Sequence, residues 1–216
     1  MNNILIGKFL WPTTLGLYDK AYKLMLYPVR NLTGVVSSVL HPIMVEYQDK
    51  SSVIYAAYLK ILKLLLLTGI PISIFSFFSA KEVILILFGN NWVKSISVFR
   101  VLVLSVWLQM LLSTTGSIFQ AAGRTDFLFL SGTMSNILLV VGMQKGITGV
   151  ATGIVTAFYI MFIPVFWILI KVVLNQDIKE FFKLFIRPLI IGIPIVIVLY
   201  IESIFLNVNI FISFFY

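Results

Sequence analysis

Residues 147–172, ITGVATGIVTAFYIMFIPVFWILIKV, decide the fold: the run is apolar almost throughout and its one charge, Lys171, sits near the far end. A helix needs about 20 residues to cross the hydrocarbon core of a bilayer, whereas a barrel strand needs only about ten, strictly alternating. Comparable runs fall at 22–45, 56–80, 97–121, 126–143 and 185–206, separated by charge clusters, proline and glycine. Lipid offers the backbone no water, so each run is predicted to be a helix that satisfies its own peptide groups. Composition agrees. Of 216 residues, 60% are hydrophobic and 11% charged, and the mean hydropathy is +1.06; soluble domains run nearer half and a quarter. The fold class expected is an all-α integral membrane protein, a single transmembrane helical bundle over 1–216. It should have about six complete transmembrane helices plus partial helices at both ends.

The partial helices follow from length. Ile4 to Leu10 is apolar, yet ten helical residues reach only about 15 Å, half a hydrocarbon core. Asn207 to Tyr216 opens another apolar run. The expectation is a fragment truncated at both ends; the alternative is an interfacial helix at each end, anchored by Trp11 and by Phe214, Phe215 and Tyr216.

A net charge of +8 raises nucleic acid as a partner, but the Lys and Arg lie scattered at span ends and form no patch interleaved with exposed aromatics. Headgroup contact with membrane lipids and topology signals fit that distribution, and nucleic-acid binding does not. No cysteine and a single histidine leave no thiolate chemistry and no His-rich metal site, so neither metal nor cofactor is expected. No Gly-rich phosphate loop with Lys, no HExxH and no nucleophile–His–acid set is present, so the chain is not expected to be an enzyme.

The joints between runs are short. Lys81 to Lys94 reads as a helix lying in the interface with Trp92 as anchor, and Gly123 to Asp126 as a tight turn. Val173 to Pro188 alternates charge with phenylalanine, as a surface amphipathic helix does. The joints near 46–63, 124 and 171–187 hold Lys50, Lys60, Lys63, Arg124, Lys171, Lys179, Lys183 and Arg187. The opposite joints hold Lys20, Lys23, Lys81, Lys94, Arg100 and Lys145. The positive-inside rule then puts the first set in the cytoplasm. Pro71, Pro164 and Pro194 should kink their spans, and Gly149, Gly153 and Ala157 form a small-residue ridge for close packing.

The span 22–45 is the informative one for function. At 100° per residue, Lys23, Tyr27, Arg30, Gly34, Ser37 and His41 share an arc of about 80° over about 27 Å of axis. Leu24, Met25, Val29, Leu32, Val36 and Ile43 cover the other side. Arg30 falls near mid-depth, where a guanidinium costs at least about 2.5–3.5 kcal/mol unless it pairs or faces water. Its planar fork of donors suits phosphate oxygens, so Arg30 with Lys23 and Lys8 is a candidate anion site; the alternative is an arginine that snorkels or bonds carbonyls. His41, before Pro42, titrates near neutrality or is structural. A second polar stripe, Gln109, Ser113, Gly116 and Gln120, spans about 60° of 97–121; it lines a route for sugar hydroxyls or bonds between helices. Glu202 is the one carboxylate well inside a span, a candidate for coupling a cation.

Four motifs carry a family resemblance: NILIGKFLWPTTLGLYDKAY at 3–22, VLHP at 39–42, FGNNW at 88–92 and AGRTD at 122–126. In order and spacing they resemble the C-terminal half of bacterial polysaccharide transporters. These are the O-antigen flippases of the superfamily that also holds the multidrug and toxin extruders. The resemblance implies two helical bundles around a central cavity and alternating access. The implied substrate is a polyprenyl-diphosphate-linked oligosaccharide, flipped across the bacterial inner (plasma) membrane by a multi-pass protein during surface polysaccharide synthesis. It implies that basic residues in the cavity hold the diphosphate, and Arg30 falls where that role is expected. With the stripes above, Arg30, Lys23 and Lys8 are the candidates for diphosphate, Gln109 and Gln120 for sugar, and His41 is a further substrate-binding candidate. The implied partners are the missing N-terminal helical bundle, on the same or a separate chain, and the polysaccharide polymerase machinery. The alternatives are multidrug efflux by the same fold, a membrane enzyme processing polyprenyl-phosphate glycans, and a non-transporting remnant of a decayed gene.

Overall fold

The computed structural model describes residues 12–47, 50–144 and 146–213; expectations for Lys8, Trp11 and Lys145 lie outside them. The described residues are helical with short joints. The order is α1 Pro12–Glu46, α2 Ser51–Phe78, α3 Ala80–Phe88, a 3-10 turn Asn90–Trp92, α4 Ser95–Val103 and α5 Val106–Ala121. Then come α6 Thr125–Met143, α7 Gly146–Trp167 with a π-helical extension Ile168–Val173, α8 Lys179–Lys183 and α9 Ile186–Ser213. Helix covers the six expected runs apart from the break in 97–121, Ser79 within 56–80 and Phe185 at the start of 185–206. Among the described residues three stretches are long and apolar enough to cross a membrane: Ser51–Phe78, Gly146–Val173 and Lys179–Glu202. A fourth counts if the bent pair α4–α5 is one span. Length and composition thus support three or four spans among the described residues, not six complete ones.

The run 97–121 is the clearest departure from expectation, because it is two helices bent by 58°. Neither Pro nor Gly marks the break at Leu104 and Ser105. A bend frees carbonyls, which hydrocarbon cannot hydrate, so partners must be supplied. They come from three places. The Leu102 carbonyl accepts from the Ser105 hydroxyl at 2.7 Å, the Val103 carbonyl from Ser73 on α2, and the Leu104 carbonyl from the Tyr159 hydroxyl on α7 at 3.2 Å.

The core of the bundle is built on α2, α5 and the apolar face of α1. Tyr18, Ala21, Met25, Val29 and Val36, spaced by helical turns, are all buried where α1 packs on α4 and α5. Between α2 and α5, Thr114 donates to the Leu111 carbonyl at 2.7 Å. Its one proton is therefore engaged, and Tyr58 is the donor in the buried 2.8 Å bond between the two hydroxyls. The small-residue ridge does what its spacing implies. Helices α6 and α7 meet so closely that a Cβ on Gly142 would lie 2.2 Å from the Gly149 oxygen, and one on Gly153 2.4 Å from the Leu138 oxygen.

Pro164 lies within α7, and the helix widens to π geometry one turn later, as a locally disrupted ladder allows. The stretch read as an amphipathic surface helix is a single short turn, α8. It seats Phe181 against Phe166, stacked at 4.7 Å, while Lys179, Glu180 and Lys183 stay exposed. Nearby, Trp107 meets Tyr159, Phe162 and Phe185 edge-on. In the joint before α8, the Lys179 N–H and then the Lys171 ammonium hold the Asp177 carboxyl below the usual carboxylate range.

Two pairs of the charged joints are brought together. Tyr55 donates to the Asp177 carbonyl at 2.5 Å, joining the start of α2 to the α7–α8 joint. At the other end Ser95 donates to the Leu17 carbonyl at 3.0 Å, and Lys20 lies over the rings of Phe88 and Trp92 at 5.2 and 5.4 Å.

Gly153→Ala should destabilise the chain by about 1–3 kcal/mol through overpacking, whereas Gly116→Ala, with nothing within 4 Å of an added Cβ, should not. Thermal unfolding of the purified chain in detergent checks both. Ser73→Ala should cost about 1–3 kcal/mol by leaving the Val103 carbonyl without its partner from α2, read from the same melt.

Candidate functional site

The polar stripe of α1 lies on the face that the bundle leaves open. Burial of Met25 and Val29 fixes the rotation of the helix, and Arg30 stands about 140° around the axis from Met25. Lys23, Tyr27, Arg30, Asn31 and Gly34 are exposed, Tyr27 by 70%. The helix persists through Pro28 and Pro42; proline has no N–H, so the Leu24 and Ser38 carbonyls lack their usual helical donors. Sequence reasoning passed over Pro28, though the residue was in plain view within the run.

The cations on this helix differ in how far they are committed. Lys23 is bound to Asp19 one turn back, at 2.6 Å. Lys20 spends its ammonium on two aromatic faces. Among the described residues no carboxylate lies within ion-pair distance of Arg30. Arg30 lies about 27 Å along the axis from the start of α1 and about 24 Å from its end, near the middle of the helix. Its five N–H donors form the open centre of the face.

The two polar stripes are not brought together. Gln109 is buried, and its amide donates to Ser105 Oγ at 2.9 Å and lies 3.2 Å from Met25 Sδ. It therefore packs on the side of α1 turned away from Arg30. Of the two readings left open, bonding between helices describes Gln109. Ser113 and Gly116 line a mainly apolar cavity of about 380 Å³ between α5, α6 and α7, and Gln120 is exposed at the end of α5. His41 lies in α1 with its side chain outside the described residues, as does that of Ser37. Glu202 is exposed on α9. The Lys20 contacts join residues 68 and 72 positions apart, so in the sequence only the basic residue and the aromatic pair are visible, separately.

Geometry thus defines a helical membrane protein whose longest helix turns an open, cationic face out of its bundle. Residues 1–97 match the family model described as polysaccharide biosynthesis protein. Over nearly the whole length the chain is similar to the teichuronic acid biosynthesis protein TuaB of Bacillus subtilis. Identity is 28%, covering 87% of this chain and 40% of that protein. It is also similar to the lipopolysaccharide biosynthesis protein WzxC of Escherichia coli, at 22% identity over 93% of this chain and 42% of that one. A membrane protein encoded in the cps region of Klebsiella pneumoniae matches at 19% over 94% and 43%. The family model covers somewhat less than half of the chain, and the chain spans about two-fifths of the length of these relatives. No solved structure matches it.

Because the chain holds no cysteine, single cysteines report on each face of α1. Tyr27→Cys and Gly34→Cys should react in membranes with a water-soluble, impermeant maleimide, and Met25→Cys should not. Failure of both exposed positions to react would place that face in lipid.

Proposed function

We propose that this chain is one bundle, the C-terminal one, of a flippase that moves polyprenyl-diphosphate-linked oligosaccharide across the bacterial inner membrane by alternating access. The observation that carries the reading is Arg30, exposed near the middle of α1 and, among the described residues, free of a carboxylate within ion-pair distance. Holding a guanidinium there is unfavourable unless water or an anion meets it, and a diphosphate offers oxygens in the geometry its fork accepts. Lys23, and Lys8 beyond the described residues, would add charge along the same path. Gln120 would contact sugar, with Gln109 bracing the helices instead. His41 would stand near the cytoplasmic mouth. The second bundle, on this polypeptide or another, would supply the opposite wall, and polymerase machinery would receive the product.

Relatives named for teichuronic acid and for lipopolysaccharide support a grip on a group common to many lipid-linked intermediates. An arginine for phosphate fits that requirement better than a tailored sugar pocket. Flipping breaks no covalent bond, so the reading needs no catalytic residue.

In the intact protein, Arg30→Ala should abolish surface polysaccharide while the protein remains in the membrane at its normal level, and Arg30→Lys should restore part of it by keeping charge without the fork. Measured by surface-glycan staining beside an immunoblot, normal polysaccharide in Arg30→Ala would overturn the assignment.

A further inference from the structure

At the end of the bundle where α1 begins, Gly16 and Leu17 of α1 and Asn90 to Lys94 of the α3–α4 joint enclose a hollow of about 680 Å³. Its polar side chains are one ammonium and two amides. The side-chain amides of Asn90 and Asn91 and the ammonium of Lys94 are exposed and, among the described residues, have no protein partner. No carboxylate lines the hollow, and the Asp19 carboxylate nearby on α1 is taken by Lys23. Gly16 keeps its side open, since an added Cβ would meet nothing within 4 Å. Gly89, at φ +80, turns the chain so that the 3-10 turn caps the hollow, a conformation that glycine adopts without strain. The Trp92 wall is fixed by the Lys20 ammonium 5.4 Å from its ring centre.

The depth of the hollow is set by its surroundings. On α3 just before it, Ile86 is 81% exposed and Leu87 55%, while Lys81 and Glu82 on the same helix are exposed too. A short helix exposing both classes, followed by a half-buried tryptophan, lies at the boundary between hydrocarbon and water. One ammonium and two amides able to donate, with no carboxylate among the lining residues, suit an anionic phosphate carried by a lipid at that depth.

The geometry points to a headgroup site here: Lys94, Asn90 and Asn91 bind the phosphate of an anionic membrane lipid in the hollow beside Gly16. This site is separate from Arg30 and stands whether or not Arg30 grips a diphosphate. Two lipids carry the chemistry, an ordinary anionic phospholipid and a polyprenyl diphosphate. The test is native mass spectrometry of the full chain in detergent, titrated separately with phosphatidylglycerol, a polyprenyl diphosphate and zwitterionic phosphatidylcholine. Both anionic lipids should bind in preference to phosphatidylcholine, and the tighter of the two names the physiological source. Lys94→Gln should weaken that binding about fivefold, one surface cation being worth about a factor of five. Gly16→Leu, which fills the hollow without changing charge, should weaken it as well. Lys179→Gln at the opposite end should leave it unchanged. If neither Lys94→Gln nor Gly16→Leu alters binding of either anionic lipid, or if phosphatidylcholine binds equally well, the site is refuted.

Discussion

A peptide carbonyl released inside hydrocarbon has no water to turn to, and the bend between α4 and α5 releases several at once. Everything around the bend is arranged to receive them. Ser73 arrives from α2, Tyr159 from α7, and Ser105 folds back within the turn. Three elements distant in sequence are thereby fixed to one point. In water the same carbonyls would be hydrated and the bend would need none of these contacts; in lipid each unsatisfied group costs several kcal/mol. The tertiary arrangement is in this sense a consequence of one break in one helix.

The bend also decides how α1 sits. Ser105 gives its proton to Leu102 and accepts from the Gln109 amide, which in turn lies on Met25 of α1. Because α1 packs against both arms of the bent pair, its apolar face is engaged over most of its length and its rotation is set. Arg30, about 140° away, is left with nowhere to go but outward. The exposure of the polar stripe is therefore a product of core packing, and changes in the core near Met25 and Gln109 act on the face without touching it.

Much of this was legible in the sequence, for reasons that can be named. Long apolar runs report helices because lipid permits little else, and the Gly149–Gly153 ridge reports close packing because small residues at helical spacing let backbones approach. The two faces of α1 were readable from period alone. What stayed hidden depends on partners far along the chain. The bend at Leu104 has no Pro or Gly of its own and exists because Ser73 and Tyr159 reach it. Gln109 reads as a lining residue when only its own helix is considered, and as a brace once Met25 and Ser105 are seen beside it. The same holds for Lys20, whose aromatic partners lie in a different joint.

On the proposed reading, the differing commitments of the cations along α1 acquire a use. Transport needs a site that attracts its ligand and also lets it go, and several weaker sites in series serve better than one deep one. Lys20 is held over aromatic faces and Lys23 is offset by Asp19, so the attraction of each for an added anion is reduced. Among the described residues Arg30 has no such neighbour. The attraction along the face is then greatest at Arg30 and declines toward the start of the helix, about 10 Å away at Lys23. An anionic group leaving Arg30 in that direction meets charge that steers it without trapping it. Replacing Asp19 would remove the offset at Lys23 and create a second strong site in line with the first, so the acidic residue shapes passage even though it repels the ligand.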